Sequence, residues 1–318
     1  MVFEAAHFDQ LAEEGYCVIE NYLDPDTVRS LRSVSEEILS QGVGGTMPPS
    51  LFLESPELKA ALFSEKFYEM VADLNDKVGP LLLYPNFTIR KGLVVGWHID
   101  DRMLSVPVNK PGDFPAILMF NIYLQDNDPL KGGGMDIVQS SPLRSREERE
   151  DLVRHHEYTR HNTVMNKAGD LVIFDYRAVH RGTQPQVESD VERLALQWTF
   201  SVGGAVTQDY LRYLRARLTE KLHISDFTNH KANNFFADLP NISRELIEER
   251  CGRTVFTDGI GYRGLSDIVE SATTSDTGAS GTGASGTGAS DTGASDTGAS
   301  DTGASDTGAS DTGEQESR

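Results

Sequence analysis

Apolar positions in the first 78 residues recur at helical spacing, whereas beyond Gly79 they fall into short runs that alternate or are apolar throughout. A brief helical pattern passes Gly15 and enters an alternating strand, Tyr16 to Tyr22. Asp24, Pro25 and Asp26 mark the start of a second helix, Val28, Leu31, Val34 and Ile38 its stripe, and Gly42 its stop. Ser55 and Pro56 open a further helix whose face is Leu58, Leu62, Phe67, Val71 and Leu74. After Gly79 come "LLLYPNFTIRKGLVVGWHI", "AILMFNIYLQD", "GMDIVQSS", "HNTVMN", "GDLVIFDY" and "RLALQWTFSV", separated by Pro, Gly and Asp/Asn clusters with no helix of βαβ length between them. That order predicts an antiparallel sandwich or barrel. The charged stretch "RSREEREDLVRHHEYTRH" reads as a solvated helix or loop, and Gly132, Gly133 and Gly134 as a flexible turn. Residues 206 to 250 return to helical spacing, with Tyr210, Leu211, Tyr213, Leu214, Leu218 and Leu222. The expected fold class is α+β: a double-stranded β-helix, or jelly roll, flanked by helices.

The C-terminal composition narrows the domain. From Ser275 the chain is a five-residue repeat, "DTGAS" or "GTGAS", with almost no apolar surface to offset the entropy of ordering it. We expect a folded domain over 1–270 and a disordered low-complexity tail over 271–318. The tail carries −7 of the formal net charge of −20, so the body is also acidic. An acidic body argues against nucleic-acid backbone binding, yet one or two buried arginines can still hold a small anion. The two cysteines, Cys17 and Cys251, form no CxxC pair. The N-terminal segment lacks a signal-peptide pattern, and no apolar run approaches 18 residues. These features predict a soluble, cytoplasmic protein with no membrane partner and no structural zinc.

"VVGWHIDDR" places His98 and Asp100 two residues apart at the end of an apolar run. The spacing alone is weak, because His7 with Asp9 and His155 with Glu157 repeat it. If 88 to 98 is one strand, Thr88, Arg90, Val94 and His98 share a face. Asp100 then follows on that face, about 6.8 Å from His98 at Cα. An imidazole and a carboxylate supply two of the three groups of a facial triad that suits Fe(II). His180 in "GDLVIFDYRAVHRGTQP" is the best third ligand, since a buried strand leads to it. His7 has no such strand, and His155 and His156 lie in a solvated run. Arg193 opens an otherwise apolar strand, where a buried guanidinium needs an anion, and so invites a dicarboxylate cosubstrate; Arg177 and Arg181 are rivals. Arg90 shares the face of His98, and alternation puts Asn121 and Tyr123 together, where they would touch cosubstrate or substrate. Trp97 should point away into the core.

With those residues in place, about 8 to 203 resembles the phytanoyl-CoA dioxygenase-like branch of the Fe(II)/2-oxoglutarate-dependent oxygenases. The likeness rests on "EEGYCVIENYLDPDTVRSLRS", on "WHID", and on "GDLVIFDYRAVHRGTQP" with its histidine followed by an arginine. It implies His98, Asp100 and His180 as iron ligands, with Arg193 anchoring the distal carboxylate of 2-oxoglutarate. It implies O2 as co-reactant, succinate and CO2 as co-products, and a small-molecule substrate, amino-acid-like or a natural-product intermediate. The presence of Asp100 favours hydroxylation over halogenation, since halogenating members lose this carboxylate. The chain departs from the pattern at "GGGMDIVQSSP", where many relatives read Pro-Gly-Ser-His, so the loop over the site differs. Two other readings are a non-catalytic metal- or ligand-binding jelly roll and a protein side-chain hydroxylase.

Overall fold

The computed structural model describes residues 2–43, 45–92, 95–105, 113–219 and 238–265. Val94, Leu222 and the repeat tail lie outside these residues.

The N-terminal part is helical, as its spacing predicts. Helix α1 (Ala5–Glu14) ends at Gly15 and leads into strand β1 (Tyr16–Ile19). The strand is shorter than its alternation suggested, because Asn21 turns into the left-handed region (φ 53°) with its N–H on the Asp170 carboxylate at 2.7 Å. Helix α2 (Pro25–Ile38) is capped by Asp24, which accepts from the N–H groups of Asp26 and Thr27. Helix α3 (Pro49–Glu54) has no counterpart in the sequence reading. The single helix expected after Ser55 is two, α4 (Pro56–Leu62) and α5 (Glu65–Val78). Phe63 leaves helical geometry, and the Ser64 hydroxyl caps the second helix through Phe67 N–H. The five expected face residues are all buried, since the break absorbs the five-residue step from Leu62 to Phe67.

The β region forms two sheets. The larger contains β1, β2 (Leu81–Leu83), β3 (Thr88–Lys91), β4 (Ile117–Tyr123), β7 (Leu171–Asp175), β9 (Leu194–Ser201) and β10 (Ile260–Tyr262). Its order is β1-β7-β4-β9-β2-β10, with β3 also on β9. The smaller is β6 (Asn162–Thr163), β5 (Met135–Ile137) and β8 (His180–Gly182). Pairing is antiparallel except between β10 and β2, which are parallel. The expected strand from 88 to 98 ends at Lys91, and His98 returns to pairing alone, opposite His180.

Three central strands show how the sheet sorts its side chains. Thr88, Gln197 and Asn121 stand opposite one another across β3, β9 and β4, and Arg90, Ala195 and Tyr123 do the same two residues on. Directly opposed residues share a face, so these six point to one side. On the other side, Leu194, Leu196, Trp198, Phe200, Phe120 and Ile173 join Leu31, Phe52 and Phe67 of the helices in one apolar core. The helices thus seal one face and leave the other for the space between the sheets.

Helix α6 (Arg146–Arg154) lies in the charged stretch and starts with a Ser145/Glu148 capping box. Four of its nine residues are exposed and Arg149 is buried, so the stretch is only partly solvated. Helices α7 (Ala205–Thr219) and α8 (Arg244–Cys251) lie between β9 and β10 in the chain. Among the described residues, no helix is long and apolar enough to cross a membrane.

Candidate metal centre

His98 and His180 are bridged backbone to backbone. His98 N–H donates to the His180 carbonyl at 3.0 Å, and His180 N–H to the His98 carbonyl at 3.1 Å. Their ring centroids lie 4.2 Å apart. The local sequence explains both placements. Gly169 takes φ 92° in the turn before β7, where a Cβ would stand 2.8 Å from the Leu23 carbonyl. The apolar strand β7 follows, and His180 opens β8 opposite Ile137. Asp100 brings its carboxylate 3.6 Å from His98 Nε2 and 3.9 Å from His180 Nε2. One donor atom from each of the three lies within 4.8 Å of the other two.

Each imidazole is oriented by the same device. His98 Nδ1 lies 2.8 Å from the Gly96 carbonyl, and His180 Nδ1 3.0 Å from the Ala178 carbonyl. A carbonyl only accepts, so Nδ1 of each ring donates to it and Nε2 is turned toward Asp100. Burial brings the pKa of His180 down to about 4, and the neighbouring His98 lowers it further than Asp100 raises it. At neutral pH the ring is uncharged, the form that ligates a metal. Two imidazoles and one carboxylate fit Fe(II) and leave positions for other ligands. Among the described residues no other such group of three comes together. His7 Nδ1 accepts from the Glu4 N–H instead, while His155 and His156 stay exposed, as expected.

Arg193 reaches the same chamber from the start of β9. It is buried, its Nη2 lies 3.4 Å from the Tyr123 hydroxyl, and its guanidinium stands 5.1 Å over the Tyr123 ring. Asn121 donates to that hydroxyl at 3.1 Å, so the two residues paired by alternation touch each other. Arg90 is half-buried on the same face. The rival arginines are committed elsewhere. Arg177 forks onto buried Asp175, and Arg181 Nε donates to buried Asp136 at 2.8 Å. Trp97 packs with Ile99, Val138 and Val179, away from the ligands.

Gly132 to Gly134 form a packed turn and not an open one. A Cβ on Gly134 would meet the Asn127 amide at 2.6 Å, and its carbonyl accepts from Thr183 N–H at 3.1 Å and lies 3.4 Å from Arg193 Nε.

Sequence reading missed a polar wall beside these residues. Asn86 Nδ2 donates to the Thr199 hydroxyl at 2.8 Å and the Tyr210 hydroxyl at 2.9 Å. Tyr84 donates to Ser201 at 2.8 Å, and Ser201 meets Thr207 at 2.9 Å. Burial pushes the Tyr210 phenol up, and the neighbouring Tyr213 and Tyr84 and the Asp100 carboxylate add to it, while the Thr199 hydroxyl opposes it. A signal was available. In "RLALQWTFS" the polar positions Arg193, Gln197, Thr199 and Ser201 all fall on one alternation.

The sequence profile of the phytanoyl-CoA dioxygenase family matches residues 11–188, a span that includes His98, Asp100 and His180. A comparison with curated proteins found no match. Among solved structures, AviO1 from Streptomyces viridochromogenes Tue57 is similar with a TM-score of 0.50 and 18% identity, over 65% of this chain and 97% of that one. This likeness is one of fold. The non-heme alpha ketoglutarate dependent carbocyclase SnoK from nogalamycin biosynthesis gives a TM-score of 0.49 at 23% identity, over 62% and 83% of the two chains. HygX from Streptomyces hygroscopicus, with nickel and 2-oxoglutarate bound, gives 0.47 at 20%, over 62% and 87%.

Proposed function

We propose that this chain, which belongs to the phytanoyl-CoA dioxygenase family of Fe(II)/2-oxoglutarate-dependent oxygenases, hydroxylates a small metabolite, amino-acid-like or a natural-product intermediate. The observation that carries the reading is the convergence of His98, Asp100 and His180 within 4.8 Å beside buried Arg193.

In this reading His98, Asp100 and His180 hold Fe(II). Fe(II) held there with 2-oxoglutarate and O2 would supply a two-electron oxidation of the substrate, one oxygen atom going to the substrate and the other to succinate as CO2 leaves. The chain's own work is placement. The Gly96 and Ala178 carbonyls keep both Nε2 atoms aimed at the metal. Arg193 receives the distal carboxylate of 2-oxoglutarate, since its planar fork matches a carboxylate and its burial strengthens the contact. Tyr123, whose hydroxyl lies 3.4 Å from Arg193 Nη2, would flank that carboxylate, Asn121 fixes the Tyr123 hydroxyl, and Arg90 lines the same face.

Enclosure supports a small substrate over a protein side chain. The side chains of His98, His180 and Asp100 are only 13%, 10% and 25% exposed. Asp100 as third ligand supports hydroxylation over halogen transfer.

Anaerobic addition of Fe(II) and then 2-oxoglutarate to metal-free protein tests the site. A charge-transfer absorption should appear only when both are present. Under O2, a metabolite screen should then find succinate formed in step with hydroxylated product. Binding without succinate for any compound would turn the reading to a non-catalytic ligand-binding module. Folded protein that binds neither would remove the oxygenase reading.

A further inference from the structure

The residue next to the proposed ligand Asp100 is a second aspartate with a different fate. Asp101 is 1% exposed and opens the short turn Asp101–Met103. Its carboxylate is gripped by Arg149 of α6, Nη1 at 2.8 Å from Oδ1 and Nη2 at 2.9 Å from Oδ2. Arg149 Nη1 also donates to the Arg177 carbonyl at 2.9 Å. Arg177 lies three residues before His180, and the intervening Ala178 supplies the carbonyl that orients the His180 ring. One guanidinium, itself 4% exposed, therefore ties the segment carrying Asp100 to the segment carrying His180.

We propose that Arg149 is a positioning residue of the metal centre: α6 braces the Asp100 and His180 segments against each other and so sets the spacing of the ligands. The inference rests on reading His98, Asp100 and His180 as the iron site. Two physical points favour geometry over mere stability. A buried ion pair contributes little more to folding than apolar residues of the same shape, because desolvating both charges offsets their attraction. Arg149 Nε is also buried with no hydrogen-bond partner, a cost that an arrangement selected for stability alone would avoid. What the fork does supply is a planar, two-point contact of fixed direction. Arg146 supports the same turn, its Nη2 donating to the Asp101 carbonyl at 2.7 Å.

The test uses the full chain and three substitutions: Arg149→Met, Arg149→Lys, and Arg154→Met as a control on the exposed side of the same helix. For each, the Fe(II) dissociation constant, the visible spectrum of the Co(II)-loaded protein and the thermal midpoint of the metal-free protein are measured. Arg149→Met should weaken Fe(II) by about 10–100-fold, the range for residues that orient metal ligands. It should also change the Co(II) spectrum. Arg149→Lys keeps the charge, loses the fork and should fall between Arg149→Met and wild type in both readouts. Arg154→Met should match wild type. If Arg149→Met does not fold, Arg149→Lys decides. Folded Arg149 variants with a lowered thermal midpoint but wild-type Fe(II) affinity and Co(II) spectrum would overturn the brace, leaving Arg149 structural only. Wild-type protein that binds neither metal would instead overturn the reading of the site on which the brace rests.

Discussion

The two faces of β9 are equally buried and chemically opposite. Leu194, Leu196, Trp198 and Phe200 point into the helix-covered core, whereas Ala195, Gln197, Thr199 and Ser201 point between the sheets. Every one of these residues is less than 9% exposed, so burial alone does not separate a face that holds the fold from one that holds a site. What separates them is whether the polar groups converge. On the inner face they form two hydrogen-bonded groups, Arg193 with Tyr123 and Asn121, and Asn86 with Thr199 and Tyr210. Substitutions on the two faces should therefore fail in different assays.

The largest expected effect is at the metal. His180→Ala and Asp100→Ala should each abolish Fe(II)-dependent turnover, because two ligands cannot hold the metal as three do. Circular dichroism should show the fold intact. Full activity with bound iron in either variant would remove that residue from the ligand set. Next comes the opposite face. Trp198 stacks on Phe120 with centroids 5.2 Å apart, and Trp198→Ala should cost about 3–5 kcal/mol of stability through the cavity it leaves. The protein that remains folded should bind Fe(II) as before. A Trp198→Ala variant that lost iron affinity while folded would break the division between faces.

Arg193→Ala should weaken 2-oxoglutarate by about 2–3 kcal/mol, or roughly 30–150-fold, the range for losing a charge-assisted contact. Calorimetry with Fe(II) present checks it. Unchanged 2-oxoglutarate affinity would move the anchor to another cation.

Much of this comparison was legible in the sequence, and what was missed has physical causes. Period-two alternation identifies which residues share a face, so Asn121 and Tyr123 fall together before any register is known, whereas the alternation that joined Arg90 to His98 stops at Lys91 and the register puts Arg90 opposite Ala195 instead. Strand ends next to Gly and Pro place His98 and His180 where a sheet can hold them, yet nothing local says that they pair with each other. That contact spans 82 residues of chain and is created by the fold. The split of α4 from α5 escaped notice because the apolar stripe continues through the break with a five-residue step. Arg149 escaped because charge density made the whole of 144 to 161 look solvated. Arg149, Leu152 and Val153 nevertheless stand at i, i+3 and i+4, the pattern of an inward stripe, and Leu152 and Val153 do pack against the core beside Trp97.

His180 also ties the site to pH. Its folded pKa is about 4, against an ordinary 6.5, because burial disfavours the charged ring. Below pH 6.5 the unfolded chain takes up a proton at this position that the folded protein refuses. Stability of the metal-free protein should therefore fall as pH drops from 6.5 toward 4, by at most roughly 3 kcal/mol, and should show no slope from this group above 6.5. Thermal midpoints of metal-free wild type and His180→Gln across that window check the point. Parallel curves would mean that His180 is not the group responsible.

The smallest effect should come from the residue that joins the two regions. Tyr210 belongs to α7, beyond the span of the family match, yet its hydroxyl accepts from Asn86 on the inner face at 2.9 Å. Tyr210→Phe removes the hydroxyl that meets Asn86 and Thr199 but leaves those two in contact with each other at 2.8 Å, so it should cost about 1 kcal/mol of stability. Iron and 2-oxoglutarate affinities should hold, because this hydroxyl is neither one of the three ligands nor the Arg193 guanidinium. If α7 forms part of the substrate wall, the KM for the metabolite should rise while the 2-oxoglutarate constant stays fixed. A variant in which both shift together would mean that the polar wall belongs to the cosubstrate chamber, and that the inner face is one connected site rather than two adjoining ones.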